Sequence, residues 1–318
     1  MTDLLGNEHW FGAKVQSVAG TAETTVSVFL ATTKIKMDSN RDRIQRKAKL
    51  AARYELPGLN GNKHPTASCE CELHASQPHP FYWALGAVST TTLEGSVKLH
   101  TITEADAPVR LTLEAERIFQ QDKQRDAYLG KLELGFKPGE IATLGLEFMA
   151  LDQVDDATLT SVPACTDDPL TCSKASVSIG GQKDYTVESG SFAYDGSLEE
   201  KRGLTDLSEF LAGAIRRKGN PEITAKLDFL DFPKAYLTDM RNAESFAVVI
   251  ELTGELIEST YYKRVRVTLP ACQWTGGLDP EISEGLITGS AEVTAYLDPV
   301  SGKRIIIEAW NEIASLTA

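Results

Sequence analysis

Apolar and polar residues alternate with a period of two along most of this 318-residue chain, which is the pattern of half-buried strands rather than of helices. The runs stand at residues 67–74, 109–115, 128–136, 141–150, 175–179, 222–229, 246–253, 261–269, 291–297 and 304–309. In the first of them Ala67, Cys69, Cys71 and Leu73 point one way and Ser68, Glu70 and Glu72 the other, because successive Cβ atoms alternate across a sheet. One face packs and the other meets water, so the expected fold class is mainly β. One helix is expected at 206–218, where Leu207, Phe210, Leu211, Ala214 and Ile215 repeat as an apolar stripe. Thr205 is placed to cap it, Asp206 and Glu209 suit its positive end, Arg216, Arg217 and Lys218 suit its negative end, and Gly219 can close it. Residues 43–55 fit a weak helical stripe and a strand equally well.

The stretch 152–172 mixes Asp155, Asp156, Pro163, Asp167, Asp168 and Pro169 with small polar residues, which is loop chemistry. It divides the chain nearly in half. On either side lies a weak repeat: Gly61-Asn62 before Pro65 and the strand ending at Leu73 resembles Gly219-Asn220-Pro221 and the strand ending at Phe229. The offset aligns Cys69 with Ala225, Cys71 with Leu227, Glu72 with Asp228 and Leu73 with Phe229. In both copies an aromatic segment follows a proline, Pro80-Phe81-Tyr82-Trp83-Ala84-Leu85 and Pro233-Lys234-Ala235-Tyr236-Leu237. A repeat this long means two copies of one domain rather than a solenoid of short units. The expected division is a first domain over 1–155, a linker over 156–172 and a second domain over 173–318.

Lys and Arg number 32 against 45 Asp and Glu, a net charge of −13, the wrong sign for a protein that grips phosphates over its whole surface. The first residues carry no basic stretch followed by an apolar core, and no window approaches the roughly 20 apolar residues of a spanning helix, so a soluble, unexported chain is expected. Five cysteines, an odd count, read as free thiols; whether Cys165 and Cys172, which bracket one short loop, pair is left open. Gly302-Lys303 lacks the upstream glycine of a P-loop, and Gly180-Gly181 lacks the spacing of a dinucleotide fingerprint.

His64, His74, His79 and His100 with Cys69 and Cys71 invite a metal reading. However, His79 lies between Pro78 and Pro80, where no helix brings it onto one face with His74, and buried thiols with solvent or loop histidines are the expectation. The acidic residues of 152–168 lack the glycine-punctuated spacing of a calcium loop and read as solvated. No cofactor, metal or catalytic site is expected. Arg41, Arg43, Arg46, Lys47, Lys49 and Arg53 form one basic run without the interleaved aromatics of a nucleic-acid groove. It reads as a solvated or subunit-facing surface that meets a neighbour's carboxylates and fixes register.

Ordered pieces along most of the chain resemble the tail tube proteins of long, non-contractile (siphovirus-type) bacteriophage tails, in the version with two fused tube domains. They are Ala84-Leu85-Gly86 with Ser89-Thr90-Thr91-Thr92, His100-Thr101-Ile102-Thr103, Pro108-Val109-Arg110-Leu111-Thr112-Leu113-Glu114, Tyr128-Leu129-Gly130-Lys131-Leu132-Glu133-Leu134 and Gly139-Glu140-Ile141-Ala142. In the second half Val177-Ser178-Ile179-Gly180-Gly181, Val187-Glu188-Ser189-Gly190-Ser191-Phe192 and Tyr194-Asp195-Gly196-Ser197-Leu198-Glu199 continue the likeness. The resemblance implies two tandem β-sandwich or partly rolled barrel domains, each with a flanking helix. It also implies a ring, trimeric with pseudo-six-fold symmetry, stacked into a hollow tube in the virion tail and assembled in the host cytoplasm. Tape-measure, tail terminator and distal tail proteins would be its partners, with DNA passing but not stably bound and no membrane involved. Head-to-tail closure uses open sheet edges, and an acidic wall repels DNA phosphate where a basic one would hold it. On that reading Glu70, Glu72 and Asp228 are the candidate lumen-facing residues. Two other classes explain the same strands: a distal tail, terminator or decoration module, which would stop at a ring or bind a preformed partner, and a carbohydrate-binding or hydrolytic β-sandwich. The last would need an aromatic platform or paired carboxylates, and Trp10, Trp83, Trp274 and Trp310 are scattered.

Overall fold

The computed structural model describes residues 9–46, 56–117, 120–155, 157–161, 167–202, 212–231, 233–276, 281–283 and 286–317. The first half holds β1 (His9–Val15), β2 (Val28–Leu30), β3 (Thr32–Arg46), β4 (Leu56–Glu72), α1 (His79–Leu85), β5 (Gly86–Thr92), β6 (Lys98–Glu104), β7 (Leu111–Arg117), β8 (Gln120–Phe136), β9 (Thr143–Met149) and β10 (Asp152–Asp155). The second holds β11 (Ala175–Ile179), β12 (Gln182–Asp184), β13 (Val187–Asp195), β14 (Leu198–Lys201), β15 (Ala214–Arg217), β16 (Glu222–Phe229), α2 (Lys234–Asn242), β17 (Phe246–Glu258), β18 (Tyr261–Gly276), β19 (Glu281–Ser283), β20 (Leu286–Ala295) and β21 (Ile306–Asn311). The fold is mainly β, and all ten alternating runs are strands. No described helix is long and apolar enough to cross a membrane.

The helix expected at 206–218 is corrected where it can be seen. Ala214–Arg217 is a strand, paired antiparallel with Leu198–Lys201 so that Glu199 stands opposite Arg216, while 203–211, with Thr205, Asp206 and Glu209, lie outside the described residues. A cross-strand partner distant in sequence overrides a short helical stripe. Among the described residues the α-helices are instead the two proline-led aromatic segments. In α1 Pro80 sits in the first turn, where its missing N–H costs nothing, and Gly86 ends the helix at φ 96°, with a Cβ there only 2.9 Å from the Ala107 carbonyl oxygen. Residues 152–172 are not loop throughout. Asp152–Asp155 pair with β8, and Leu170 donates its N–H to the Leu73 carbonyl while accepting from Ala142.

The same seven pairings occur in each half. In the first they are β1–β2, β1–β7, β7–β8, β8–β9, β8–β10, β4–β9 and β3–β4. In the second they are β11–β12, β11–β17, β17–β18, β18–β20, β18–β21, β16–β20 and β13–β16. The long strands β8 and β18 each begin in a flanking sheet and end in a second one. These second sheets are joined, because β13 pairs with the end of β8, Tyr194 opposite Leu132 and Asp195 opposite Lys131. The result is one eight-stranded antiparallel sheet, β3-β4-β9-β8-β13-β16-β20-β18, spanning both halves.

One face of this shared sheet is the core. Cys69, Leu132, Leu146, Phe192, Tyr194, Ala225, Leu227 and Val293 are buried there, each large apolar side chain being worth about 1.5–3 kcal/mol. Phe148 of the shared sheet meets Phe11 of the flanking sheet at 5.5 Å and Trp83 of α1 at 6.5 Å between ring centroids. In the second half Tyr236 of α2 meets Phe229 at 5.7 Å and Trp274 at 5.0 Å.

Candidate functional site

The opposite face of the shared sheet is polar, and residues far apart in sequence are brought into rows across it. Lys36, Ser68, Glu147, Lys131, Asp195 and Glu222 form one row. Lys34, Glu70, Gly145, Glu133, Ala193, Thr224, Thr294 and Gln273 form the next. Glu72, Thr143, Gly135, Ser191, Lys226 and Glu292 form a third. Asp38 and Asp228 lie on the same face, which carries a groove of about 600 Å³ lined by Lys34, Glu70, Glu133, Glu147, Asp195 and Glu222 among others. Nine carboxylates thus stand against four lysines. Lys34 binds Glu70 at 2.8 Å and Lys131 reaches Asp195 at 3.8 Å, exposed pairs worth about 0.2–1 kcal/mol each.

Glu70, Glu72 and Asp228 therefore share one face. Glu70 is exposed, Glu72 half-buried, and Asp228 accepts a hydrogen bond of 2.8 Å from Ser189 Oγ. Sequence reasoning did not single out Asp195, which lies in none of the ten runs, or Glu133, Glu147, Glu222 and Glu292, which the alternation in their runs places on the polar side. Of the basic run, Arg41, Arg43 and Arg46 lie on the β3–β4 ribbon, with Arg41 and Arg43 exposed; Lys47, Lys49 and Arg53 lie outside the described residues. That ribbon meets the second half through His64, whose Nδ1 is 2.8 Å from Glu200 and whose Nε2 is 3.0 Å from Asp42.

The histidines and thiols take structural positions. His79 opens α1 and His100 lies in β6, both buried, so the expectation of solvent or loop histidines is corrected for these two: the prolines flanking His79 occupy the cap and first turn, where proline fits. Burial, with the charge of His100 behind it, holds His79 down at about 4. His100, also lowered by burial, accepts from Thr90 Oγ1 at 2.8 Å and donates Nε2–H to Asn311 Oδ1 at 3.0 Å. Cys69, Cys71, Cys172 and Cys272 are buried free thiols, and Cys272 is pushed up to about 12 by burial; Cys165 lies outside the described residues. Among the described residues no three His, Cys, Asp or Glu side chains gather as a metal site would require.

The shared sheet has two open edges. Among the described residues β3 pairs with β4 alone, and the end of β18 beyond Cys272, Gln273–Gly276, pairs with β20 alone. Within the chain the corresponding edges of β8 and β13 are closed on each other. A second joint ties the halves together: β6 pairs with β21 from Lys98–Asn311 to Thr103–Ile306, Arg304 binds Glu104 at 2.9 Å through Nε and the Pro221 carbonyl at 2.7 Å, and Arg217 donates to the Ala105 carbonyl at 2.8 Å.

No curated protein matches the chain in sequence. Open sheet edges of this kind are surfaces on which another chain can add a strand. The profile of the family described as phage tail tube protein matches residues 6–297, nearly the whole chain, and the chain belongs to that family of virion tail structural proteins.

Proposed function

We propose that this chain closes into rings that stack as the hollow tube of a siphovirus-type tail, with the carboxylate-rich face of the shared sheet lining the lumen. The observation that carries the reading is that single sheet: one face is core, the other carries nine carboxylates to four lysines, and both edges are open. On this reading the seven recurring pairings mark two tandem tube domains, 1–155 and 173–318, arising by duplication and joined by 156–172. Glu70, Glu72 and Asp228 face the passing genome, and repulsion keeps DNA sliding where cationic walls would bind it through counterion release.

Ring size follows from strand spacing. Eight strands per copy at about 4.8 Å, tilted by about 35–45° as barrel strands are, give a backbone diameter of about 30–35 Å for two copies and about 45–52 Å for three. Inward side chains take about 10 Å of that, so two copies leave about 20–25 Å, a bare fit to a duplex roughly 20 Å across, whereas three leave about 35–42 Å and let it slide freely. Three copies make six domains, hence the pseudo-six-fold ring. The exposed arginines of the β3–β4 ribbon then meet carboxylates of a neighbouring copy. Tape-measure, terminator and distal tail proteins are the partners at the lumen and ends, and assembly takes place in the host cytoplasm.

Negative-stain electron microscopy over a concentration series, with mass measurement of the unpolymerised fraction, tests this. Hollow tubes or stacked rings of uniform width are expected. A discrete ring that never stacks would favour a terminator or distal tail module, and a monomer at all concentrations, with and without tail-tip components, would sink the proposal.

A further inference from the structure

We infer that the open edge of β3 pairs antiparallel with the end of β18 of a second copy of this chain, in the register that sets Met37 opposite Trp274 and Asp38 opposite Gln273. The inference rests on the ring reading above and gives its seam a residue-level address.

The register comes from the joint already closed inside the chain. Cys69 pairs with Ile35 and Leu146, and Ala225 pairs with Phe192 and Val293. Ile35 therefore occupies the place of Phe192, and Leu146 that of Val293. Leu146 pairs with Leu132 and Val293 with Trp274, so Trp274 occupies the place of Leu132. Two residues on from Ile35, Met37 takes the place of Tyr194. Tyr194 faces Leu132 across the closed joint, and the equivalent across the open one is Met37 facing Trp274. One step further, Asp195 opposite Lys131 becomes Asp38 opposite Gln273. Both anchors precede the irregularity in β18, which falls between Trp274 and Gly276.

Both faces continue through such a junction. Met37 and Trp274 are 1% and 6% exposed and point into the core, while Asp38 and Gln273 are half-buried on the polar face. The two edges also differ from their internal counterparts in a complementary way. Lys34 and Lys36 stand on the open edge of β3 where Ser191 and Ala193 stand in the closed joint, and both are exposed. On the other side Glu292, beside Gly276, stands where the first half has Gly145. Lysines on an open edge discourage indiscriminate strand addition, and here the partner edge that brings its own carboxylate is the one that fits.

Opposed residues in an antiparallel pair lie about 4.5–5.5 Å apart at Cα, within disulfide range, and a two-residue slip takes them beyond it. The test is the full chain carrying Asp38→Cys with Gln273→Cys, oxidised at concentrations where rings or tubes are seen on grids, alongside the unsubstituted chain. A reductant-sensitive ladder of covalent multimers is expected. Lys36→Cys with Gln273→Cys, two residues out of register, should give at least tenfold less. Lys131→Cys with Asp195→Cys, the internal counterpart, should close within the monomer and shows that the geometry and oxidation are adequate. Tubes that form while the Asp38–Gln273 variant stays monomeric under oxidation, with the internal control closed, would overturn the register and leave the tube standing. Equal cross-linking of the slipped pair would also overturn it. A chain monomeric by mass at every concentration overturns both.

Discussion

The junction between the two halves and the junction proposed between copies use corresponding strands, β8 with β13 and β18 with β3, yet they are not built alike. Inside the chain β8 and β13 close on each other with small residues, Ser191 and Ala193, on the polar face. The β5–β6 hairpin then adds a second joint by pairing with β21, sealed by Arg304 on Glu104 and by Asn311 between His100 and the Ala75 carbonyl. The second half runs from α2 directly into β17 and has no counterpart of that hairpin among the described residues. In the first half β10, which takes the place of β21, pairs with β8 alone among the described residues. A ring of such chains therefore alternates doubly tied and singly tied junctions. On the proposed ring the copy-to-copy junction is then the weaker of the two, with one strand pairing where the internal junction has two.

The largest blow to that inequality is aimed at the second joint. Ile102 on β6 is fully buried opposite Ile307, and Ile102→Ala should cost about 2–5 kcal/mol of chain stability by urea denaturation while leaving the copy-to-copy junction of the folded fraction untouched. An unchanged urea midpoint would mean that the hairpin adds nothing to the closed junction. Acid should act on the same region, because all five histidines lie in the first hundred residues. The unfolded chain protonates His79 near its ordinary value of 6.5, and the folded chain not until about 4. Between those values the unfolded state holds more protons, so stability falls as pH falls from 6.5 towards 4 and is unaffected above it. The loss is about 3 kcal/mol for His79, with His100 shifted in the same direction. His79→Leu should flatten the urea midpoint over that range; an equally steep profile would remove His79 as its cause. Next in size, Gly190 sits in the closed junction with a Cβ position 2.5 Å from the Lys226 carbonyl oxygen and 2.8 Å from the Phe136 ring. Gly190→Ala should cost about 1–3 kcal/mol by the same measurement, and a neutral result would show that the junction gives way locally.

How much of this was readable beforehand depends on the range of the interaction. The ten alternating runs, and the burial of Ala67, Cys69, Cys71 and Leu73 on one side, follow from the period-two pattern, which is local. The offset between halves aligns Cys69 with Ala225, and these two occupy corresponding places in the pairing. By contrast, α1 was hidden because its residues are buried on all sides, so no amphipathic period marks it. The stripe at 207–215 pointed to a helix whose visible end is a strand, since its pairing with Leu198–Lys201 is set by tertiary structure. Glu70, Glu72 and Asp228 were readable as polar-face residues. That Lys131 and Glu133 share a surface with Glu222 and Glu292 was not, because the joint between β8 and β13 connects residues about sixty positions apart and no local pattern encodes it.

The smallest expected effect is the most direct probe of the difference between the junctions. The closed one places Lys131 against Asp195 at 3.8 Å; the open one places Gln273 against Asp38. Gln273 Nε2 donates to the Ala243 carbonyl at 2.9 Å, a contact that a lysine amine can also make. Gln273→Lys should therefore leave the urea midpoint of the isolated chain within about 0.5 kcal/mol and add one exposed cross-strand ion pair per copy-to-copy junction, about 0.2–1 kcal/mol. Because every junction between copies gains it, the concentration at which tubes appear by light scattering should fall several-fold at low salt, and the gain should shrink as salt screens the pair. The same substitution combined with Asp38→Lys should reverse the effect. If Gln273→Lys leaves the assembly concentration unchanged while Asp38→Lys alone also does nothing, these two positions do not face each other across the junction.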